Sequence, residues 1–352
     1  MSATPSPHCS PPAPAAMSET AFIVTVDTEG DDLWSRPRVI TTHNARFLPR
    51  FQSLCERYGY RPVYLTNYEM AMDDVFVEFG RDVLTRRAGE IGMHLHAWNS
   101  PPLVPLTDDD FRYQPYLIEY PDTVMREKIR VMTELLAQRF GEPPVTHRAG
   151  RLGFDGRYAA MLLERGYRVD CSVAPGIDWS TMPGAPGGRG GSDFRGFPDR
   201  PYFLRPPDIA SPAPSGLLEV PITIETSSLF RRAPWLYEPP VIRGIANRIS
   251  PRHSWLSPAE NGLRGLKRAV RGARGRGASC IQLMIHSSEL MPGGSPSFRT
   301  AEAIEHLYDR LEILFEELSL WCRGMTQKEF HARMSAEAPP TPRAAAPAEA
   351  AA

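Results

Sequence analysis

The clearest signal in the chain is an alternation of short apolar runs with longer stretches of helical spacing. Residues 21–27 (AFIVTVD) are apolar and β-branched up to a polar cluster, the pattern of a buried strand. Over 43–58, Phe47, Phe51, Leu54 and Tyr58 fall at helical intervals, and Gly59 follows as a stop. The same two signals then repeat. A strand at 61–67 (RPVYLTN) precedes a helix over 72–88 that Gly89 can close, and a third strand follows at 90–96 (EIGMHLH). An amphipathic helix over 121–140 lies between Pro121 and Gly141. A short strand at 145–150 (VTHRAG), a helix over 155–165 stopping at Gly166, and a strand at 167–173 (YRVDCSV) complete this part.

The rhythm then loosens. Residues 174–215 are rich in Gly and Pro around GAPGGRGGSD and read as a long irregular insertion, of the kind that is usually functional or mobile. LLEVPIT (217–223) resumes a strand. A second insertion spans 226–280 and contains a basic helix near 258–272, whose charge run reads as a solvated face. SCIQLMIH (279–286) is the last clear strand, and 299–321 is a long amphipathic helix. Strands alternating with helices predict an α/β fold with a parallel sheet. No GxGxxG follows the first strand, so a dinucleotide site has no support. The expected organisation is a disordered extension over 1–18, one domain over 19–325 carrying both insertions, and a short helix with a disordered Ala/Pro tail over 326–352. Met17, just ahead of the first strand, is an alternative start.

Composition narrows the function classes. Of 352 residues, 42% are hydrophobic and 23% charged, which suits a globular protein with a full core. With 40 Lys and Arg against 41 Asp and Glu, nothing points to nucleic acid or an anionic membrane as partner. No apolar run is long enough to predict a membrane span, and the N-terminus lacks a signal-peptide pattern. The five cysteines are scattered and lack CxxC spacing, so the expectation is a reduced, cytoplasmic protein without a cysteine metal site. Oligomeric state is not legible.

The candidate chemistry lies at strand ends. Asp27, Glu29, His94, His96, Arg148, Asp170 and His286 all fall near the C-terminal ends of predicted strands, the edge where parallel α/β folds assemble sites. Asp27 and Glu29 stand two apart, so extended backbone aims both carboxylates the same way; the alternative is ordinary turn chemistry. His94 and His96 share that spacing. Two imidazoles and a carboxylate make a three-ligand metal site with an open position, and the alternative is an exposed polar loop. His286 ends an apolar strand, where it could serve as a proton donor or simply be a satisfied strand-end histidine. Arg148 and Asp170 suit either structural ion pairs or support for a catalytic group.

Taken together and in order, these segments resemble the five motifs of the polysaccharide deacetylase family, carbohydrate esterase family 4. TVDTEGD (25–31), EIGMHLHAW (90–98), HRAGRLGFD (147–155), YRVDCSVAP (167–175) and QLMIHSSEL (282–290) fall in the family's sequence, and the match runs from about residue 21 to 320. The resemblance implies a distorted (β/α) barrel of about seven parallel strands with two long insertions. It implies Asp27 as catalytic base, Arg148 as the arginine that orients it, His286 as acid and Asp170 as support for that acid. It further implies Glu29, His94 and His96 as ligands of a divalent metal, with zinc the first choice for that donor set. Thr28 stands where the family usually has a second aspartate, so Glu29 takes the ligand role. Trp98 stands where the family has its second histidine, so His96 does. The activity implied is hydrolysis of an N-acetyl group on a sugar or glycan. A formamide or cyclic-amide hydrolase and a non-catalytic sugar-binding relative are the alternatives. Trp179, Phe194, Tyr202, Phe203, Trp235, Tyr237 and Trp255 in the insertions could stack on sugar rings or pack as core.

Overall fold

The computed structural model describes residues 19–233, 235 and 251–337. The extension at 1–18, Tyr237 and the tail beyond 337 lie outside the described residues. Among the described residues there are twelve strands: β1 (Thr20–Thr28), β2 (Val63–Thr66), β3 (Glu90–Leu95), β4 (Thr146–Ala149), β5 (Val169–Asp170), β6 (Tyr202–Arg205), β7 (Asp208–Ala213), β8 (Leu217–Glu219), β9 (Ile224–Thr226), β10 (His253–Trp255), β11 (Cys280–His286) and β12 (Cys322–Gly324). Seven run parallel side by side in the order β11, β1, β2, β3, β4, β5, β8. β12 adds a parallel partner at the start of β1.

The sheet forms a distorted (β/α) barrel. Its two ends, β8 and β11, share no backbone ladder among the described residues. Side chains join them instead: the Gln282 amide N–H donates to Thr223 Oγ1 at 2.8 Å, and Gln282 Nε2 donates to the Val220 carbonyl at 3.3 Å. β1 lies between β11 and β2, which explains its unbroken burial from Ala21 to Thr28. Helices Leu48–Arg57, Asp74–Thr85, Asp122–Phe140, Gly156–Glu164 and Ala301–Ser319 carry the buried apolar faces that cover the sheet. Among the described residues no helix is long and apolar enough to cross a membrane.

Three local expectations change. The helix expected over 72–88 breaks at Asp73, because that carboxylate accepts the Phe76 N–H at 2.8 Å and starts a new helix. Gly89 does not close that helix. The left-handed turn falls at Arg87 (φ 55°), and Gly89 is small because a Cβ there would lie 2.6 Å from the Pro62 carbonyl oxygen. The first insertion is also more regular than its composition suggests. β6 and β7 form an antiparallel hairpin that extends the sheet from β8, with Tyr202 and Leu204 buried. In the second insertion β9 pairs antiparallel with β10, and the basic helix sits later than expected, at Leu263–Gly275.

Register carries the fold to its site. Asp27 on β1 is the direct partner of His286 on β11. His94 on β3 is the partner of Arg148 on β4, and His147 is the partner of Asp170 on β5. Residues more than two hundred positions apart are thereby fixed at one end of the barrel.

Candidate active site

Asp27 is buried, and one of its oxygens accepts a hydrogen bond from Arg148 Nη1. Since two strands separate β1 from β4, this bond crosses the barrel interior. The fully buried guanidinium is fixed from both sides, with Nε donating to the Cys171 carbonyl at 2.9 Å and Nη2 to Thr25 Oγ1 at 3.0 Å. Burial alone would raise the Asp27 carboxyl. The charges of Arg148, His94 and His286 outweigh it and hold the group below its ordinary value, hence ionised.

Two residues on, Glu29 faces the histidine pair. Its Oε2 lies 3.6 Å from His94 Nε2 and 3.3 Å from His96 Nε2, and the two Nε2 atoms are 3.0 Å apart. All three side chains are buried. Zinc ligands at about 2.0–2.1 Å in a tetrahedron stand roughly 3.3 Å from one another, a spacing that the three measured distances bracket. His94 Nδ1 contacts the Arg148 carbonyl at 3.0 Å. A carbonyl only accepts, so Nδ1–H donates to it, and Nε2 faces Glu29 and His96. His96 Nδ1 has no hydrogen-bond partner. Its ring is held by packing, stacked on Trp98 at 4.4 Å with an 18° interplanar angle. Gly150 lies at its edge, where a Cβ would come 2.5 Å from His96 Cδ2. Burial, then the charges of His94 and His286, hold His96 well below the ordinary imidazole value and keep it neutral, as a ligand must be. These residues fit a divalent metal.

The Glu29 segment is clamped in turn. Ser287 Oγ accepts the Glu29 N–H and donates to the Glu29 carbonyl, both at 3.1 Å, while Asn44 Nδ2 donates to that carbonyl at 2.9 Å.

His286 Nε2 stands 3.8 Å from Asp27 Oδ2. Its Nδ1 is 2.7 Å from Glu289 Oε1, a fully buried carboxylate three residues further along. Burial opposes the imidazolium, but the Glu289 hydrogen bond and the nearby Glu29 and Asp27 carboxylates push its pKa up to about 10. The support expected from Asp170 is therefore corrected, since the carboxylate that holds His286 is Glu289. Asp170 Oδ1 instead meets His147 Nδ1 at 2.6 Å, and His147 Nε2 meets Tyr158 OH at 2.7 Å. Side chains alternate along a strand, so His147 turns to the helix layer while Arg148 turns inward, and Asp170 follows its register partner His147. The sequence signal for Glu289 was present in Ser-Ser-Glu after His286.

These groups line one end of a cavity of about 420 Å³. Its walls include Trp34, Trp98, Tyr116, Trp179 and Trp255. Among the described residues, Trp179 and Trp255 are thus the insertion aromatics that reach the site. Phe194 and Tyr202 are buried in the core and Trp235 is 62% exposed. Trp34, whose edge faces His286 with ring centroids 5.0 Å apart, lies outside both insertions. Gln114, Arg151 and Leu152, all lining the cavity, have positive φ (48°, 54° and 58°). Such backbone costs on the order of 1–3 kcal/mol per residue and clusters at functional sites.

No protein-family model matches the sequence, and no curated protein matches it. Solved structures do resemble the chain. A Parabacteroides distasonis protein assigned as a glycoside hydrolase/deacetylase aligns with a TM-score of 0.58 at 12% identity, over 90% of this chain and 71% of its own. A Mycobacterium smegmatis protein assigned as a polysaccharide deacetylase aligns with a TM-score of 0.49 at 16% identity, over 96% and 97%. The first of these likenesses establishes a shared fold.

Proposed function

We propose that the protein is a metal-dependent hydrolase that removes an N-acetyl group from a sugar in polysaccharide or glycoconjugate biosynthesis. The observation that carries this reading is convergence. An ionised Asp27, a protonated His286 and the Glu29–His94–His96 trio face one aromatic-walled cavity. Glu29, His94 and His96 would hold the metal, with zinc favoured by two imidazoles and a carboxylate. Bound there, a divalent cation supplies Lewis acidity, polarising the acetyl carbonyl and acidifying water.

This chain's own residues do the rest. Asp27, fixed by Arg148, takes the proton of the attacking water. His286, oriented by Glu289 through Nδ1, gives its Nε2 proton to the departing amine. With acid and base 3.8 Å apart, both reach a single reacting carbon and nitrogen, and the products are acetate and a free amino sugar. The tryptophan and tyrosine walls suit the apolar faces of a pyranose ring. The four described cysteines are free and buried, which supports a reducing, cytoplasmic setting and therefore a biosynthetic precursor as substrate. The test is acetate release from N-acetylated amino sugars with and without chelator. Chelator-sensitive release is expected, whereas sugar binding with no release would favour a non-catalytic binding protein.

A further inference from the structure

One wall of the cavity carries a cation that this chemistry does not use. Arg151 follows the base-orienting Arg148 by three positions, and its left-handed backbone sets it in the cavity wall. Its guanidinium donates to the Gln114 carbonyl through Nη1 and to the Pro183 carbonyl at 2.9 Å through Nη2, and it lies over the Tyr116 ring, 4.1 Å from the centroid. A guanidinium has five N–H donors, so two carbonyl bonds leave donors over. No carboxylate pairs with it among the described residues. Glu260, the other charged lining residue away from the reacting centre, is exposed and forms no ion pair with it. Arg36 stands close enough for its charge to act on Arg151, and its own Nη1 is likewise spent on a carbonyl, that of Arg112, at 2.6 Å. Burial and Arg36 weigh against the Arg151 charge, Tyr116 and Glu119 favour it, and burial prevails, so its pKa lies below the ordinary guanidinium value. The nearby carboxylate of Glu119 is engaged by the Tyr116 and Ala185 N–H groups and forms no ion pair with Arg151, so a partly desolvated guanidinium beside a second arginine is left able to take an anion.

We propose that Arg151 is a specificity-determining residue that takes an anionic group, carboxylate or phosphoryl, carried by the N-acetylated sugar. The preferred substrate is then an acidic sugar or a sugar phosphate and not a neutral sugar. The proposal rests on the deacetylase reading for its reaction but not for its binding.

The test compares kcat/KM for acetate release from N-acetylglucosamine, N-acetylglucosamine 1-phosphate and N-acetylglucosaminuronic acid, in wild type and in Arg151→Gln and Arg151→Lys. Wild type should favour one anionic sugar over the neutral one by about tenfold, the worth of a charge-assisted hydrogen bond. Arg151→Gln should bring that ratio close to one, and Arg151→Lys should keep part of it. Whichever anionic sugar leads identifies the group as phosphoryl or carboxylate. Equal kcat/KM for all three sugars in wild type, or a ratio that survives in Arg151→Gln, overturns the proposal. Calorimetric titration of the same sugars into wild type and both variants separates the two ideas. An anion preference in binding that depends on Arg151, without acetate release, would keep the anion site while removing the hydrolase reading.

Discussion

At the level of single residues, the site works by giving each reactive group a fixed partner. His286, the acid of the proposed reaction, has its pKa raised against burial by its hydrogen bond to Glu289 and by the Glu29 and Asp27 carboxylates. Its protonated form is held below a pKa of about 10 and lost as pH rises through it. Glu289→Gln removes the charge and leaves only a neutral amide oxygen as acceptor, so the His286 pKa falls toward its ordinary value near ~6.5. The alkaline limb of the kcat profile should then move to lower pH, and an unmoved limb would mean that Glu289 does not set the acid. Gly150→Ala probes the metal side. The added Cβ meets His96 Cδ2 and the Leu95 carbonyl, both at 2.5 Å, so the His96 ring must shift. Bound metal per chain, measured by atomic absorption, should drop well below the wild-type value; full occupancy would show that His96 is not positioned by Gly150. Asp27, Glu29, His94, His96 and His286 were legible as a set because strand-end position and two-residue spacing are sequence properties. Glu289 left only the trace of Ser-Ser-Glu after His286, and Arg151 left none, since its role depends on neighbours that only the folded chain supplies. Asp170 misled for the same reason: its partner is chosen by register and by the face of β5 on which it stands.

At the level of elements, the parallel strands were readable from their unbroken apolar runs, whereas their ends were not. β5 and β8 are only two and three residues long, because ladder pairing stops where their chains diverge into the insertions. The hairpin β6–β7 escaped detection because Gly and Pro dominate the insertion around it, although Tyr202 and Leu204 alternate as a half-buried strand should. The seam between β8 and β11 has no backbone ladder among the described residues, and Thr223 bridges it. Thr223→Val keeps the shape but leaves the buried Gln282 N–H without its acceptor, a loss of about 1–3 kcal/mol. Urea unfolding should report that decrease with an unchanged m-value. A midpoint equal to wild type would mean that the seam is closed by other contacts.

For the whole molecule, a near-neutral chain hides a strongly polarised centre. The net charge of -1 is the residue of 40 positive and 41 negative side chains, and some of the surface ones are matched in exposed ion pairs. Such pairs contribute little individually. What sets the protein apart is inside the barrel mouth, where an ionised carboxylate, an imidazolium and a three-donor cluster share one cavity. If Asp27 is the base of a metal-dependent deacetylation, metal content and acetate release measured on the same preparation of Asp27→Asn must part company. The expected result is wild-type metal occupancy with release slowed about 10²–10⁴-fold. Release at the wild-type rate from the metal-loaded variant would contradict it.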